Sequence, residues 1–191
     1  SGELTQAENE LEFLKRYNAN FKQYLTKRKE MSTRKKSSGY SDTELESSYN
    51  LCTAIEKTIE ATILSKKEEN KNAELLISEA ILLNNENHTA NDIYKPWLLL
   101  SQLDISIRTG NLIQAKKTAI KLKRISGLAH TLNYRQYSQE EFQFLLSFLK
   151  YKEGNVESAL TSIELLEIDY PNSVRIQQLK NDINFQLNKT H

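Results

Sequence analysis

The feature that most constrains the fold is a spacing pattern that occurs three times along the chain. Counting from Gly154, a small residue follows after five positions, apolar residues after nine and twelve, and a helix breaker after seventeen: Ala159, Ile163, Leu166 and Pro171. The same steps from Gly110 reach Ala115, Ala119, Leu122 and Gly127, and from Glu68 they reach Ala73, Ile77, Ala80 and Asn85. The pattern predicts three copies of one structural unit.

Each unit is predicted to be two helices joined by a tight turn. The Gly-Asn pairs at Gly110 and Gly154 supply the left-handed backbone that such a turn requires, whereas Glu68 makes the first unit degenerate. An alanine just inside the second helix lets the first helix approach closely. A single hairpin leaves an apolar face exposed, so neighbouring hairpins are expected to stack.

The composition agrees with an all-helical chain. Only two prolines and five glycines occur in 191 residues, too few for the tight turns of a sheet protein, and 38% of the residues are hydrophobic. The single Cys52 forms neither an internal disulfide nor a cysteine-rich metal site. No apolar run reaches the roughly 18 residues of a membrane span. The net charge of +1 favours neither nucleic acid nor an anionic membrane.

Capping and periodicity predict eight helices. Capping boxes are expected at Ser41 with Glu44 and at Ser138 with Glu141, and Asn91 or Asp92 is expected to cap a helix that carries a proline in its first turn. The predicted helices cover residues 3–34, 42–65, 73–83, 93–108, 112–124, 139–152, 156–169 and 173–187. Residues 66–72 are predicted to interrupt the first hairpin.

These units resemble the tetratricopeptide repeat family. The resemblance is carried by Gly110-Asn111-Leu112-Ile113-Gln114-Ala115 and by Gly154-Asn155-Val156-Glu157-Ser158-Ala159 with Pro171. Ala61 and Ser147, seven residues before their turns, fit the small residue of the family, and Leu103 departs from it. The turns are 42 and 44 residues apart, against a family period of about 34. Longer helices or insertions near 84–91 and 126–137 are therefore expected. The alternative is an irregular helical bundle.

The expected architecture is thus all-α, a TPR-like stack of about three hairpins plus a closing helix, with a long N-terminal helix before it. We expect this helix to occupy residues 1–38 and the repeat domain residues 39–191. The pair Ser1-Gly2 is typical of a remnant of proteolytic cleavage, so an upstream signal peptide or membrane anchor stays an open alternative. One thiol is compatible with cytoplasm or periplasm, with the cytoplasm slightly favoured.

The N-terminal helix carries a coiled-coil-like seam. Its members alternate in steps of three and four and form the tentative dimerisation set: Leu4, Leu11, Leu14, Asn18, Phe21 and Leu25, with Ala7 between them. Phe13, Tyr17 and Tyr24 broaden the apolar face, as in a helix that packs against its own domain. Self-packing and a homodimeric coiled coil both remain open. A basic stretch, residues 27–36, is either a solvated helix end or a patch for phosphates or acidic partners.

The resemblance also implies where a partner binds. In such repeats the first helices of successive hairpins line a concave face that takes a peptide or helix. The residues that counting back from the turns places there are Lys66, Trp97, Leu100, Asp104, Arg108, Phe144, Phe148, Tyr151 and Lys152. Lys66, Arg108 and Lys152 share one register and are predicted to form a basic stripe for an acidic peptide or a C-terminal carboxylate. The alternative is that the cations serve helix ends and the aromatic residues serve the core.

The sequence offers no catalytic motif. The three histidines, His88, His130 and His191, are far apart and predicted to lie in a loop, a linker and the chain end. No metal-ligand spacing, phosphate-binding loop or nucleophile elbow occurs. We therefore expect a binding scaffold or adaptor without cofactor or metal, whose partner is another protein. The alternatives are a structural dimerisation component that uses the N-terminal helix and a nucleic-acid-associated regulator that uses residues 27–36.

Overall fold

The computed structural model describes residues 2–32, 41–85, 91–126 and 135–190, and every regular element within them is a helix. In chain order the helices are α1 (Gly2–Ser32), α2 (Asp42–Lys66), α3 (Asn70–Asn85), α4 (Asn91–Arg108), α5 (Leu112–Ser126), α6 (Arg135–Lys152), α7 (Val156–Asp169) and α8 (Val174–Thr190). The prediction of an all-α chain of hairpins with a long first helix and a closing helix is confirmed.

The three predicted turns share one backbone conformation. Glu68, Gly110 and Gly154 have φ angles of 65°, 78° and 82°, and no other described residue has a positive φ. At each turn this residue donates its backbone N–H to the carbonyl three residues earlier, at 3.0 to 3.2 Å. Glu69 and Asn155 then donate to the carbonyl five residues earlier, at 2.9 and 3.0 Å. At Glu68 and Gly154 these bonds form Schellman motifs, which satisfy carbonyls that a helix end leaves without a partner.

The positions that repeat in the sequence are also equivalent in burial. Ala73, Ala115 and Ala159, one turn inside the second helix of each hairpin, are fully buried. The later apolar positions of the pattern are buried as well: Ile77, Ala80, Ala119, Leu122, Ile163 and Leu166. So are the residues seven positions before the turns: Ala61, Leu103 and Ser147. The spacing pattern therefore marks the faces on which the helices pack.

The helix starts are predicted correctly at one capping box and wrongly at the other. The Ser41 hydroxyl accepts a hydrogen bond from the Glu44 backbone N–H, and the Ser41 backbone N–H donates one to the Glu44 carboxylate. Helix α2 therefore begins where expected. The predicted cap Ser138 lies inside α6, which begins earlier, at Arg135. The first hairpin is interrupted only by residues 67–69, and not by 66–72. Both helices therefore begin before the starts that the local signals predict.

The chain divides into two compact units, Ser1–Ser101 and Gln102–His191, with the division inside α4. In the first unit α1 packs against α2, and α2 packs against α3. Its core contains Ala54, Ala80 and Leu98, from α2, α3 and α4, with Ile81 and Leu83 packed against them. The predicted domain boundary between 38 and 39 lies outside the described residues.

A polar contact orients α1 on α2. Asn18 is 4% exposed, and its Nδ2 donates to the backbone oxygen of Cys52 at 3.2 Å and to Glu56 Oε2 at 2.6 Å. Leu11 and Leu25, one heptad on either side, are buried. Lys15 forms an ion pair with Glu60 at 2.9 Å. The seam therefore packs within the chain, as the self-packing alternative expects.

The second unit contains the end of α4 and helices α5 to α8. In it α6 packs against α7, α7 against α8, and α6 also contacts α5 and α8. A buried hydrogen bond of 2.9 Å from Thr118 to Gln102 joins α5 to α4. Lys116 pairs with Glu153 at 2.7 Å, between α5 and the turn that follows α6. Among the described residues no helix is long and apolar enough to cross a membrane.

Candidate functional site

A row of aromatic side chains runs along α6 in the second unit. Phe144 and Phe148 are one helical turn apart, and their rings stack at a centroid distance of 6.2 Å with an interplanar angle of 25°. Phe144 is buried, whereas Phe148 is only partly covered. Tyr151 and Lys152 continue the row to the end of the helix. The buried ring of Phe144 thus supports the partly buried ring of Phe148.

Two cations lie over the ring of Phe148. The guanidinium carbon of Arg108, on α4, is 5.8 Å from the ring centroid, and the Lys152 ammonium is 5.4 Å from it. The Lys152 ammonium is also 5.8 Å from the Tyr151 centroid. Cations at these distances are attracted by the negative face of the ring. The sequence prediction that Arg108 and Lys152 lie on one surface beside aromatic residues agrees with this geometry.

The carboxylate of Asp104 fixes the orientation of Arg108. Arg108 Nε donates to both carboxylate oxygens, at 2.8 and 3.0 Å, one helical turn earlier on α4. Within the described residues, Lys152 forms no ion pair, and the Arg108 Nη atoms donate no hydrogen bond. These nitrogens are exposed donors beside an apolar ring, an arrangement suited to an incoming carboxylate.

A third cation, Arg175 on α8, was missed by the sequence reasoning. Its guanidinium carbon is 4.9 Å from the Phe144 centroid, and it donates hydrogen bonds to Glu140, at 2.8 Å, and to Glu141. Burial alone would lower the pKa of Arg175, but the bonds to Glu141 and Glu140 outweigh it and raise the pKa. Because no local pattern relates Glu140 to a residue 35 positions later, only the packing of α8 on α6 shows this contact.

The remaining predicted site residues lie in the first unit. Lys66 is exposed at the end of α2, Trp97 is 37% exposed on α4, and Leu100 is buried. Leu100 and the equally buried Phe144 belong to the core more than to a contact surface. The continuity of the basic stripe from Lys66 to the second unit stays a prediction.

The tentative dimerisation residues mostly face α2. Leu11, Asn18 and Leu25 are buried, and the other members of the set, Leu4, Leu14 and Phe21, are partly buried. The ring of Phe21 meets that of Tyr49 on α2 edge to face at 5.9 Å. By contrast, the aromatic residues that were expected to broaden this face are exposed: Phe13, Tyr17 and Tyr24.

The described part of the basic stretch is engaged with α2. Arg28 donates a hydrogen bond to Asp42 at 2.9 Å, and Lys29 forms an ion pair with Glu46. Residues 33–40 lie outside the described residues. The described cations therefore bind acidic groups near the start of α2, which agrees with a helix end more than with a free phosphate site.

The described parts of the chain contain neither a cluster of metal-ligand side chains nor an activated thiol. No group of three or more His, Cys, Asp or Glu side chains there is arranged to hold a metal ion. The three histidines lie outside the described residues. Burial raises the pKa of the half-buried Cys52 thiol, so its nucleophilic thiolate form is disfavoured.

Comparisons with family models, with curated proteins and with solved structures found no match for this chain. The surface around Phe148 therefore has to be interpreted from its own geometry and chemistry.

Proposed function

We propose that this chain is a protein-interaction module of the tetratricopeptide type that binds an acidic peptide segment against α6. The observation that carries the proposal is the placement of Arg108 and Lys152 over the partly buried ring of Phe148, at 5.8 and 5.4 Å. The cations come from the first helices of two successive hairpins. A peptide that crosses both helices meets donors for its carboxylates and an apolar ring between them.

The repeat assignment is supported by three features of the hairpins. The left-handed residue recurs at intervals of 42 and 44 positions, the alanine five positions later is buried each time, and the helix before each turn buries the residue seven positions earlier. The period exceeds the family's by about ten residues. The helices explain part of the excess, because α4 and α6 each have 18 residues.

The chemistry of the surface favours a negatively charged segment over an uncharged one. Arg108 is already held by the single carboxylate of Asp104, so its remaining Nη donors and the Lys152 ammonium together suit one or two further negative charges. An aspartate or glutamate side chain and a C-terminal carboxylate both meet this requirement. The exposed part of Phe148 would contact the adjacent aliphatic carbons of the peptide.

Selection from a peptide display library tests this proposal without knowledge of the natural partner. We expect the wild-type chain to enrich peptides rich in Asp and Glu or ending in a free carboxylate. Arg108→Glu with Lys152→Glu reverses two charges on the surface and should abolish that enrichment while the chain stays folded, as its helicity will show. Lys117→Glu with Lys121→Glu, two exposed lysines of α5, is the matched control with the same net charge.

The outcome is decided by the difference between the two variants. Loss of acidic enrichment in the Arg108/Lys152 variant alone supports the proposal. Equal loss in both variants means that net charge, and not this surface, attracts the peptides. If the wild-type chain selects no acidic sequence, the proposed ligand is wrong.

A further inference from the structure

The outward face of α1 exposes three large aromatic side chains. Phe13 is 74% exposed, Tyr17 52% and Tyr24 51%, although the neighbouring face of the same helix packs on α2. Aromatic residues in such numbers on one exposed face are typical of a protein–protein interface, where they supply much of the binding energy. Three of them on one helix thus indicate a surface that becomes covered.

These residues belong to a second heptad seam. The outer seam consists of Glu10, Phe13, Tyr17, Asn20, Tyr24 and Lys27, which follow one another in steps of three, four, three, four and three, and all six are exposed. Alternating steps of this kind keep side chains on one line along a helix that pairs with another helix. The outer seam shares no member with the seam around Asn18 that faces α2.

The outer seams of two copies are complementary to each other when the two α1 helices run in opposite directions. A two-fold axis between residues 18 and 19 places Glu10 opposite Lys27, Phe13 opposite Tyr24, and Tyr17 opposite Asn20. These layers are an ion pair, an aromatic pair and a potential hydrogen bond between the Tyr hydroxyl and the Asn amide. A parallel pair would instead place Glu10 opposite Glu10 and Lys27 opposite Lys27, which repel.

From this complementarity we propose that two copies of the chain associate through α1 in antiparallel orientation. From Glu10 to Lys27 the seam is about 26 Å long at 1.5 Å per residue. The carboxylate of Glu10 already accepts a hydrogen bond from Gln6 at 3.1 Å, but its exposure leaves room for the lysine of the second copy.

Part of the seam is held in place before association. The ring of Tyr17 meets that of Phe21 edge to face at 6.2 Å, and Phe21 in turn meets Tyr49 on α2 at 5.9 Å. A side chain that neighbours already restrain loses less rotational freedom on binding. The short seam, less than three heptads, makes the dimer weak, so it forms at high protein concentration.

Sedimentation equilibrium of the full chain over a range of concentrations tests the contact. We expect a reversible monomer–dimer equilibrium, and we expect Phe13→Ser with Tyr24→Ser to raise the dissociation constant by about 30-fold or more. Ile113→Ser with Ile120→Ser is the matched control, because these side chains are 73% and 53% exposed on α5 and lie outside the seam. The control should dimerise like the wild type. A wild-type chain that stays monomeric at all concentrations overturns the proposal.

Charge reversal tests the antiparallel orientation. Glu10→Lys alone would bring two lysines together at each end of the dimer, and Lys27→Glu alone would bring two carboxylates together there, so each variant should be monomeric. An equimolar mixture of the two variants should form a dimer, because each end then pairs opposite charges. The double variant in one chain should dimerise with itself for the same reason.

If mixing leaves both variants monomeric, or if Glu10→Lys pairs better with the wild type than the wild type does with itself, the antiparallel arrangement is wrong. The Arg108/Lys152 variant should dimerise normally, which keeps this result independent of the peptide-binding proposal.

Discussion

At the scale of single residues, the turns depend on one left-handed position each. Glycine adopts this conformation without steric cost, whereas a residue with a Cβ atom is strained there. Two of the turns have Gly110 and Gly154, and the first has Glu68, with φ of 65°. The first hairpin therefore keeps the turn geometry of the others in spite of its residue.

Replacing Glu68 with glycine should remove this strain. We expect Glu68→Gly to raise the free energy of unfolding by up to about 1 kcal/mol. In the opposite direction, Gly110→Ala and Gly154→Ala should each lower it by about 1 kcal/mol, from backbone strain alone. An added Cβ meets no atom within 4 Å at either glycine, so steric overlap makes no contribution. Urea unfolding measures the free energy of unfolding of all three variants. If Glu68→Gly is less stable than the wild type, the Glu68 side chain contributes more to stability than its backbone strain costs.

A second residue-scale prediction concerns the cap of α2 and its dependence on pH. Hydrogen bonds from the Ser41 backbone and side chain lower the pKa of Glu44 below its ordinary value of 4.5. A lowered pKa in the folded state stabilises the protein above pH 4.5, and this stabilisation is lost as the pH falls through the folded-state pKa. The difference in melting temperature between wild type and Glu44→Ala should therefore be largest near neutral pH and shrink below 4.5.

Removal of the donors provides the control for this prediction. Ser41→Ala deletes the side-chain bond to Glu44 and should cost about 1 kcal/mol, as expected for an N-cap. In a chain that already carries Ser41→Ala, Glu44→Ala should lower the free energy of unfolding by less than it does in the wild type. A difference between wild type and Glu44→Ala that stays constant from neutral to acid pH would contradict the role of the ionised carboxylate.

At the scale of elements, the packing of α1 on α2 centres on a polar residue. Asn18 bonds to Cys52 and Glu56 from the middle of a seam whose neighbouring members are apolar. A polar group in an apolar seam favours the one alignment in which it finds partners. The contact therefore selects the register of α1 on α2 more than it adds stability.

The effect of Asn18→Ala on the free energy of unfolding should nevertheless be measurable. Loss of the bond to the charged Glu56 should lower the free energy of unfolding by about 1–2 kcal/mol, and Asn9→Ala, an exposed asparagine of the same helix, should change it by less than about 0.5 kcal/mol. A double-mutant cycle with Glu56→Ala isolates the pairwise contribution. A coupling energy near zero would show that the bond adds nothing to the packing of α1.

At the scale of the whole molecule, the basic stripe predicted from the sequence includes a residue of the first unit. Arg108 and Lys152 belong to the second unit, and Lys66, at the same number of positions before its turn, belongs to the first. The basic stripe predicted from the sequence includes all three cations. If that prediction is right, Lys66→Glu should weaken binding of a long acidic peptide about fivefold while leaving that of a short one unchanged.

Fluorescence anisotropy with a short and a long version of one selected peptide measures this effect. Lys71→Glu, an exposed lysine near the start of α3, supplies the control for net charge. If Lys66→Glu and Lys71→Glu weaken the long peptide equally, the first unit takes no specific part in binding.

The sequence by itself determined the helices, the turns and the faces that pack. Helix periodicity and turn chemistry are local, so the structures at Ser41, Gly110 and Gly154 are recognisable from a few neighbouring positions. Even the degenerate turn at Glu68 was recognisable, because the buried alanine at Ala73 preserves its spacing. The wrong prediction of a cap at Ser138 shows the limit of this reasoning, since α6 begins at Arg135, before the local start signal.

Only the tertiary structure decided which of these faces is covered and which charges meet. The sequence leaves open whether the seam around Asn18 packs within the chain or in a dimer. The contact with α2 buries that seam and leaves Phe13 and Tyr17 exposed. Likewise, the position of Arg175 over Phe144 depends on how α8 packs against α6. The reason is physical: burial and ion pairing depend on distances between residues far apart in the chain, and only packing sets those distances.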